Sequence, residues 1–120
     1  MEDRIPCITN ADIKRIIERD FPKNERDRVI KTLNRYKSES EKGANRVHAA
    51  ILKISDGSVE KVEKNVEVAI IDYRDVLSWA EYPSYSKNLF EEFSYEKEKQ
   101  QNDDDWQQYN EWLNKPSSHL

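Results

Sequence analysis

Apolar residues recur along this chain at spacings of three and four, in blocks separated by turn-forming residues. The clearest block runs from Ala44 to Pro83. Ala44, Val47, Ile51 and Ile54 share one helical face, and Asp56-Gly57-Ser58 interrupts it. Val59, Val62, Val66, Ala69 and Ile70 resume the spacing, Asp72 restarts it, and Tyr82-Pro83 ends it. A period near 3.6 residues is that of an amphipathic helix. The block therefore predicts a helix, a turn, a second helix, a cap and a short third helix. Gly57 suits a left-handed C-terminal cap and Ser58 an N-cap. So short a connection makes the flanking helices antiparallel neighbours.

The competing reading lies between Val66 and Ile71. Val62, Val66, Val68, Ile70 and Ile71 are β-branched, and such residues favour strands. The helical spacing favours a helix there. Asp72 and Asp75 then take the N-cap and third positions of the short helix, with Tyr73, Val76, Leu77 and Ala80 on its inner face.

Upstream, Thr9 or Asn10 caps a helix with Asp12 in its first turn and Ile13, Ile16, Ile17 and Phe21 on one face. Pro22 ends it, because proline disfavours helical geometry in the residue before it. A second helix is expected from about Asn24 to Ser38, with Val29, Ile30, Leu33 and Tyr36 as its stripe. Glu41-Lys42-Gly43 reads as the next break. Downstream, Leu89, Phe90 and Phe93 suit one helical turn. Glu96 to Asp105 holds no apolar residue and reads as mobile or solvated. A last helix is expected from Asp105 to Asn114, with Asp103, Asp104 and Asp105 where the helix dipole favours negative charge. Its buried face would be Trp106, Tyr109, Trp112 and Leu113.

With 120 residues the chain is one domain's worth, 37% charged and only 36% hydrophobic. Its core must come from narrow stripes on several helices. Two glycines and four prolines are too few turn residues for an all-β fold. The reading is all-α: a single-domain bundle over 1–120 of five to six helices around a central antiparallel helical hairpin, with 1–8 and about 94–105 mobile. Cys7 is the one cysteine, so no internal disulfide forms. No apolar run approaches the roughly 20 residues that span a bilayer. No apolar signal region follows the N-terminus. A soluble, cytoplasmic protein is expected.

The sequence excludes more chemistry than it suggests. Cys7, His48 and His119 stand outside any metal-binding spacing, and Asp103-Asp104-Asp105 is better read as a solvated helix start. Gly43 and Gly57 cannot build a phosphate loop. No cofactor, metal or catalytic set is expected. The best case for nucleic acid is the basic face of 14–37. It carries Lys14, Arg15, Arg19, Lys23, Arg26, Arg28, Lys31, Arg35 and Lys37. Phosphate binding needs such a surface, but Glu18, Asp20, Glu25 and Asp27 interrupt it. A solvated, ion-paired face is the stronger reading. Acidity gathers instead in 91–120.

Two clusters remain. Tyr73, Arg74, Asp75, Glu81 and Tyr82 are polar groups close to a predicted core, and they suit either a small site or caps and buried rings. Trp106, Tyr109 and Trp112 sit in an aromatic-rich C-terminal third, and Tyr and Trp are favoured at interfaces. They complete either a thin core or a docking surface.

The runs Arg46-Val47-His48-Ala49-Ala50-Ile51-Leu52-Lys53, Asp56-Gly57, Asp72-Tyr73-Arg74-Asp75-Val76-Leu77 and Ala80-Glu81-Tyr82-Pro83 resemble a pattern in small uncharacterised bacterial helical proteins. The likeness covers 46–83. It implies a bacterial cytosolic protein with a helical fold, and it brings no catalytic residue. The leading functional expectation is a non-enzymatic protein–protein interaction or regulatory protein that neutralises or modulates a partner. Nucleic-acid association through 14–37 comes second, and a small enzyme built on Arg74, Asp75, Glu81 and His48 third. A homodimer would bury aromatics that a monomer leaves exposed.

Overall fold

Two caps set the start of the bundle. Thr9 Oγ1 accepts the Asp12 amide at 3.1 Å and the Asp12 carboxylate accepts the Thr9 amide at 3.0 Å, a reciprocal box that opens α1 (Asn10–Asp20). Ser40 accepts the Gly43 amide and opens α3 (Glu41–Ser55). Between them, Pro22 separates α1 from α2 (Lys23–Leu33), and α4 spans Val59–Glu81. A last helix, α5, covers Tyr95–Leu113. The computed structural model describes residues 5–83 and 95–116, with no strand among them. The expected turn at Leu89, Phe90 and Phe93 and the ligand candidate His119 lie outside the described residues.

The architecture is an all-α bundle whose centre is the α3–α4 hairpin. Asp56 (φ 49°) and Gly57 (φ 78°) both adopt left-handed backbone, which reverses the chain within three residues. The hairpin is pinned at both ends. Near the turn, the buried Ser55 hydroxyl accepts the Asn65 amide group at 3.0 Å. At the far end Arg46 meets Glu81. α2 lies along α4, tied to it by the Arg28–Glu63 ion pair. The main core draws on Ile16, Ile17, Phe21, Val29 and Leu33 and on both arms of the hairpin.

Some expectations hold and others need correction. Residues 66–71 are helical, and the β-branched run is accommodated because Val62, Val66 and Ala69 keep helical spacing against the core. Asp72 does interrupt α4, with non-helical backbone at φ −156° and ψ 100°. Its carboxylate accepts the Arg74 amide at 3.0 Å, as an N-cap does. The second half of α4 buries Val76 and Ala80, but Tyr73 is exposed rather than inward. α2 ends at Leu33, short of Ser38, and Ile30 faces water. Gly43 lies inside the first turn of α3, where a β-carbon would meet Ser38 Oγ at 2.8 Å. The break is therefore a close approach and not a chain stop.

The largest difference is at the C-terminal end. The charged stretch expected to be mobile or solvated is helical from Tyr95 onward. Glu, Lys and Gln are good helix formers, so polarity alone does not oppose a helix. Asp103, Asp104 and Asp105 accordingly sit mid-helix, and Asp105 is buried. At the other terminus, within the segment expected to be mobile, Pro6 and Ile8 are buried, and residues 1–4 lie outside the described residues.

Candidate functional site

The polar cluster expected at 72–82 does not converge. Arg74 and Asp75 are exposed at the start of the second half of α4. Arg74 Nε reaches Asp72 Oδ1 at 2.9 Å, and its NH2 reaches Oδ2 at 3.0 Å. That hydrogen-bonded pairing holds the Asp72 carboxyl below and the Arg74 guanidinium above its ordinary value. Glu81 lies two helical turns further on, roughly 10 Å along the axis. It is buried and engaged with Arg46, whose guanidinium the Glu81 hydrogen bond keeps strongly basic. Tyr82 is half-buried at the end of α4. His48 donates from Nε2 to the Tyr36 carbonyl at 3.2 Å, and burial lowers its basicity. Arg74, Asp75, Glu81 and His48 thus face three different surroundings.

The aromatic candidates on α5 dock on this chain's own body. Tyr109 is 1% exposed and packs with Ile8 and Ala49, so it is core and not a free interface residue. Burial raises its hydroxyl pKa, and the nearby Glu81 charge adds to that. Trp112 is half-buried, edge-on to Tyr109 with ring centroids 5.6 Å apart and beneath the Arg19 guanidinium. Trp106 is half-buried.

The basic face of 14–37 is also partly consumed. Arg15 donates to the Leu113 carbonyl, Arg19 to those of Trp112 and Lys115, and Arg26 to those of Phe21 and Glu18. Arg28 pairs with Glu63. Lys14, Lys23, Lys31, Arg35 and Lys37 are the exposed cations that remain.

A cleft of about 340 Å³ lies between the N-terminal segment and α3, lined by Ile5, Pro6, Cys7, Ile8, Lys42, Gly43 and Arg46. No carboxylate or imidazole is among its described lining residues. Among the described residues, no group of three or more His, Cys, Asp and Glu side chains is arranged to hold a metal ion. No described helix is long and apolar enough to cross a membrane.

What stands out is the exposed apolar residues on either side of the break in α4. Among the described residues six large apolar side chains are exposed, and four of them fall within ten residues of this helix: Ile70 (53%), Ile71 (86%), Tyr73 (46%) and Trp79 (46%). Scattered exposed hydrophobes are ordinary, but concentrated ones mark interaction surfaces. They bracket Asp72, where the helix breaks. This feature was readable in part. Adjacent residues on a helix point about 100° apart. With Val66 and Ala69 inward, Ile70 and Ile71 cannot both follow them. Compared with known proteins, the chain matches no family model, no curated protein and no solved structure.

Proposed function

We propose that this chain is a non-enzymatic interaction protein that modulates a protein partner by seating it on the exposed apolar residues of α4 that bracket Asp72. The observation that carries the reading is the concentration of Ile70, Ile71, Tyr73 and Trp79 in water on one helix. Tyr and Trp are favoured in the centre of protein interfaces, and isoleucine adds apolar area without charge to desolvate. Arg74 and Asp72 neutralise each other beside these residues. The reading moves the interface from the α5 aromatics to α4, because Tyr109 is spent on the core.

The test is affinity capture at about 0.15 M salt, where surface attraction is screened beyond roughly 8 Å. Wild-type protein and the double variant Ile71→Glu, Trp79→Glu are compared after circular dichroism has shown equal helicity. One stoichiometric protein retained by the wild type and released by the variant supports the proposal. Equal retention by both would move the interface elsewhere. A second copy of the chain as the retained species would make the protein a homodimer. Nucleic acid retained in its place, in a manner lost on adding salt, would restore the reading through Lys14, Lys23, Lys31, Arg35 and Lys37.

A further inference from the structure

Among the described residues, the fifteen buried side chains of the main core all lie between Ile16 and Ala80, and none of them comes from α5. Of the described side chains of α5, the partly buried Trp112 and Leu113 rest against that core, and the fully buried ring of Tyr109 sits in a separate small cluster with Ile8 and Ala49. The Tyr109 hydroxyl is buried with no hydrogen-bond partner among the described residues. The apolar seat of a nineteen-residue helix is thus small.

Its polar attachment is correspondingly specific. The final carbonyls of a helix have no partner within the helix. Here two arginines of α1 take them. Arg19 NH1 donates to the Trp112 carbonyl at 2.7 Å and to the Lys115 carbonyl at 3.0 Å, and Arg15 NH2 donates to the Leu113 carbonyl at 2.6 Å. Arg19 is only 5% exposed. Asp20 holds its fork in place with contacts of 2.7 and 3.0 Å, and its guanidinium lies 5.3 Å from the centre of the Trp112 ring. Two cations also sit where the dipole at the end of α5 is negative.

We infer that α5 is a separable latch, which opens and closes on the α1–α4 body as a unit, with Arg19 as the residue that holds it shut. Opening uncovers Ile8, Ile13 and Ala49, the residues against which Tyr109, Trp112 and Leu113 pack. The inference is independent of the α4 surface proposed above, since it uses none of those residues.

Native-state hydrogen exchange on the full chain tests it. Elements that open below the global unfolding free energy exchange independently of the rest. Two variants are compared with the wild type. Arg19→Gln removes charge-assisted bonds and is expected to speed exchange across 95–113 by about tenfold or more; α3 and α4 exchange through global unfolding, which breaks the same bonds, and follow by the same factor. Ile51→Val thins the main core and is expected to speed exchange in α3 and α4 while leaving α5 as it was. If α5 shares the protection of α3 and α4 in the wild type, if Arg19→Gln leaves exchange in α5 unchanged, or if Ile51→Val accelerates α5 along with α3 and α4, the latch is overturned. Should Arg19→Gln fail to fold, the Ile51→Val comparison decides alone.

Discussion

Arg46 and Glu81 form a two-point ion pair across the open end of the central hairpin, Nε to Oε2 at 2.8 Å and NH2 to Oε1 at 2.6 Å. Glu81 is 4% exposed, and Arg46 keeps a quarter of its side-chain surface in water. The pair joins the first turns of α3 to the last turn of α4, thirty-five residues away. Its geometry makes it a register device, since only one alignment of the two helices brings both forks together.

Removing one partner should therefore cost more than removing both. Glu81→Ala leaves a partly buried guanidinium uncompensated, with an expected loss of about 3 kcal/mol, the lower end for a broken buried pair because Arg46 is partly solvated. The double variant Arg46→Met, Glu81→Leu should recover much of that loss. Urea unfolding of the three proteins checks the order.

The turn gives a second expectation. Gly57 holds φ +78°, and a β-carbon there would lie 3.2 Å from the Asp20 carbonyl oxygen. Gly57→Ala should destabilise by about 1–2 kcal/mol from the left-handed backbone alone. A lower urea midpoint at unchanged slope is the expected result, and an unchanged midpoint would contradict it.

Stability should fall with pH in the window set by His48. Burial holds its imidazole below the ordinary 6.5, against the opposing effect of hydrogen bonds to the Tyr36 and Leu33 carbonyls. The unfolded chain then binds a proton more readily than the folded one. The stabilising contribution is complete above about pH 6.5 and is lost as pH drops below it through the folded value. His48→Gln keeps a donor for the Tyr36 carbonyl without the titration. The difference in unfolding free energy between the two proteins should shrink in the variant's favour from pH 7 to pH 5.

Two isoleucines should behave oppositely. Ile51 is fully buried in the main core, and Ile51→Ala is expected to cost about 2–5 kcal/mol. Ile71 is 86% exposed, and Ile71→Ser should change stability by no more than about 0.5 kcal/mol. Thermal unfolding of both variants measures the contrast. A large loss from Ile71→Ser would mean that this side chain supports the fold rather than a partner.

Local signals were the legible ones. Thr9 and Asp12, Ser58, Gly57, Asp72 and Pro83 each act within a few residues through a backbone hydrogen bond or a φ restriction, so the caps and breaks could be located from the chain alone. The candidate site was legible only in fragments. Tyr73, Arg74, Asp75, Glu81 and Tyr82 are neighbours in sequence. Glu81 nevertheless turns to Arg46, while Arg74 turns back to Asp72. The helix at the charged start of α5 has no signature in the sequence, because a polar segment reads as solvated whether it is helix or coil.

By itself the sequence determined the helices of the hairpin, the reversal at Asp56–Gly57 and the stripe that faces the core, since each depends on spacing and backbone conformation over a few residues. Tertiary structure decided where the long side chains finish. Arg19 became the cap of a helix more than ninety residues away, Tyr109 became core, and Ile70 and Ile71 were left in water. A side chain's partner depends on which helices pack together. That is a property of the whole bundle, and no local pattern encodes it.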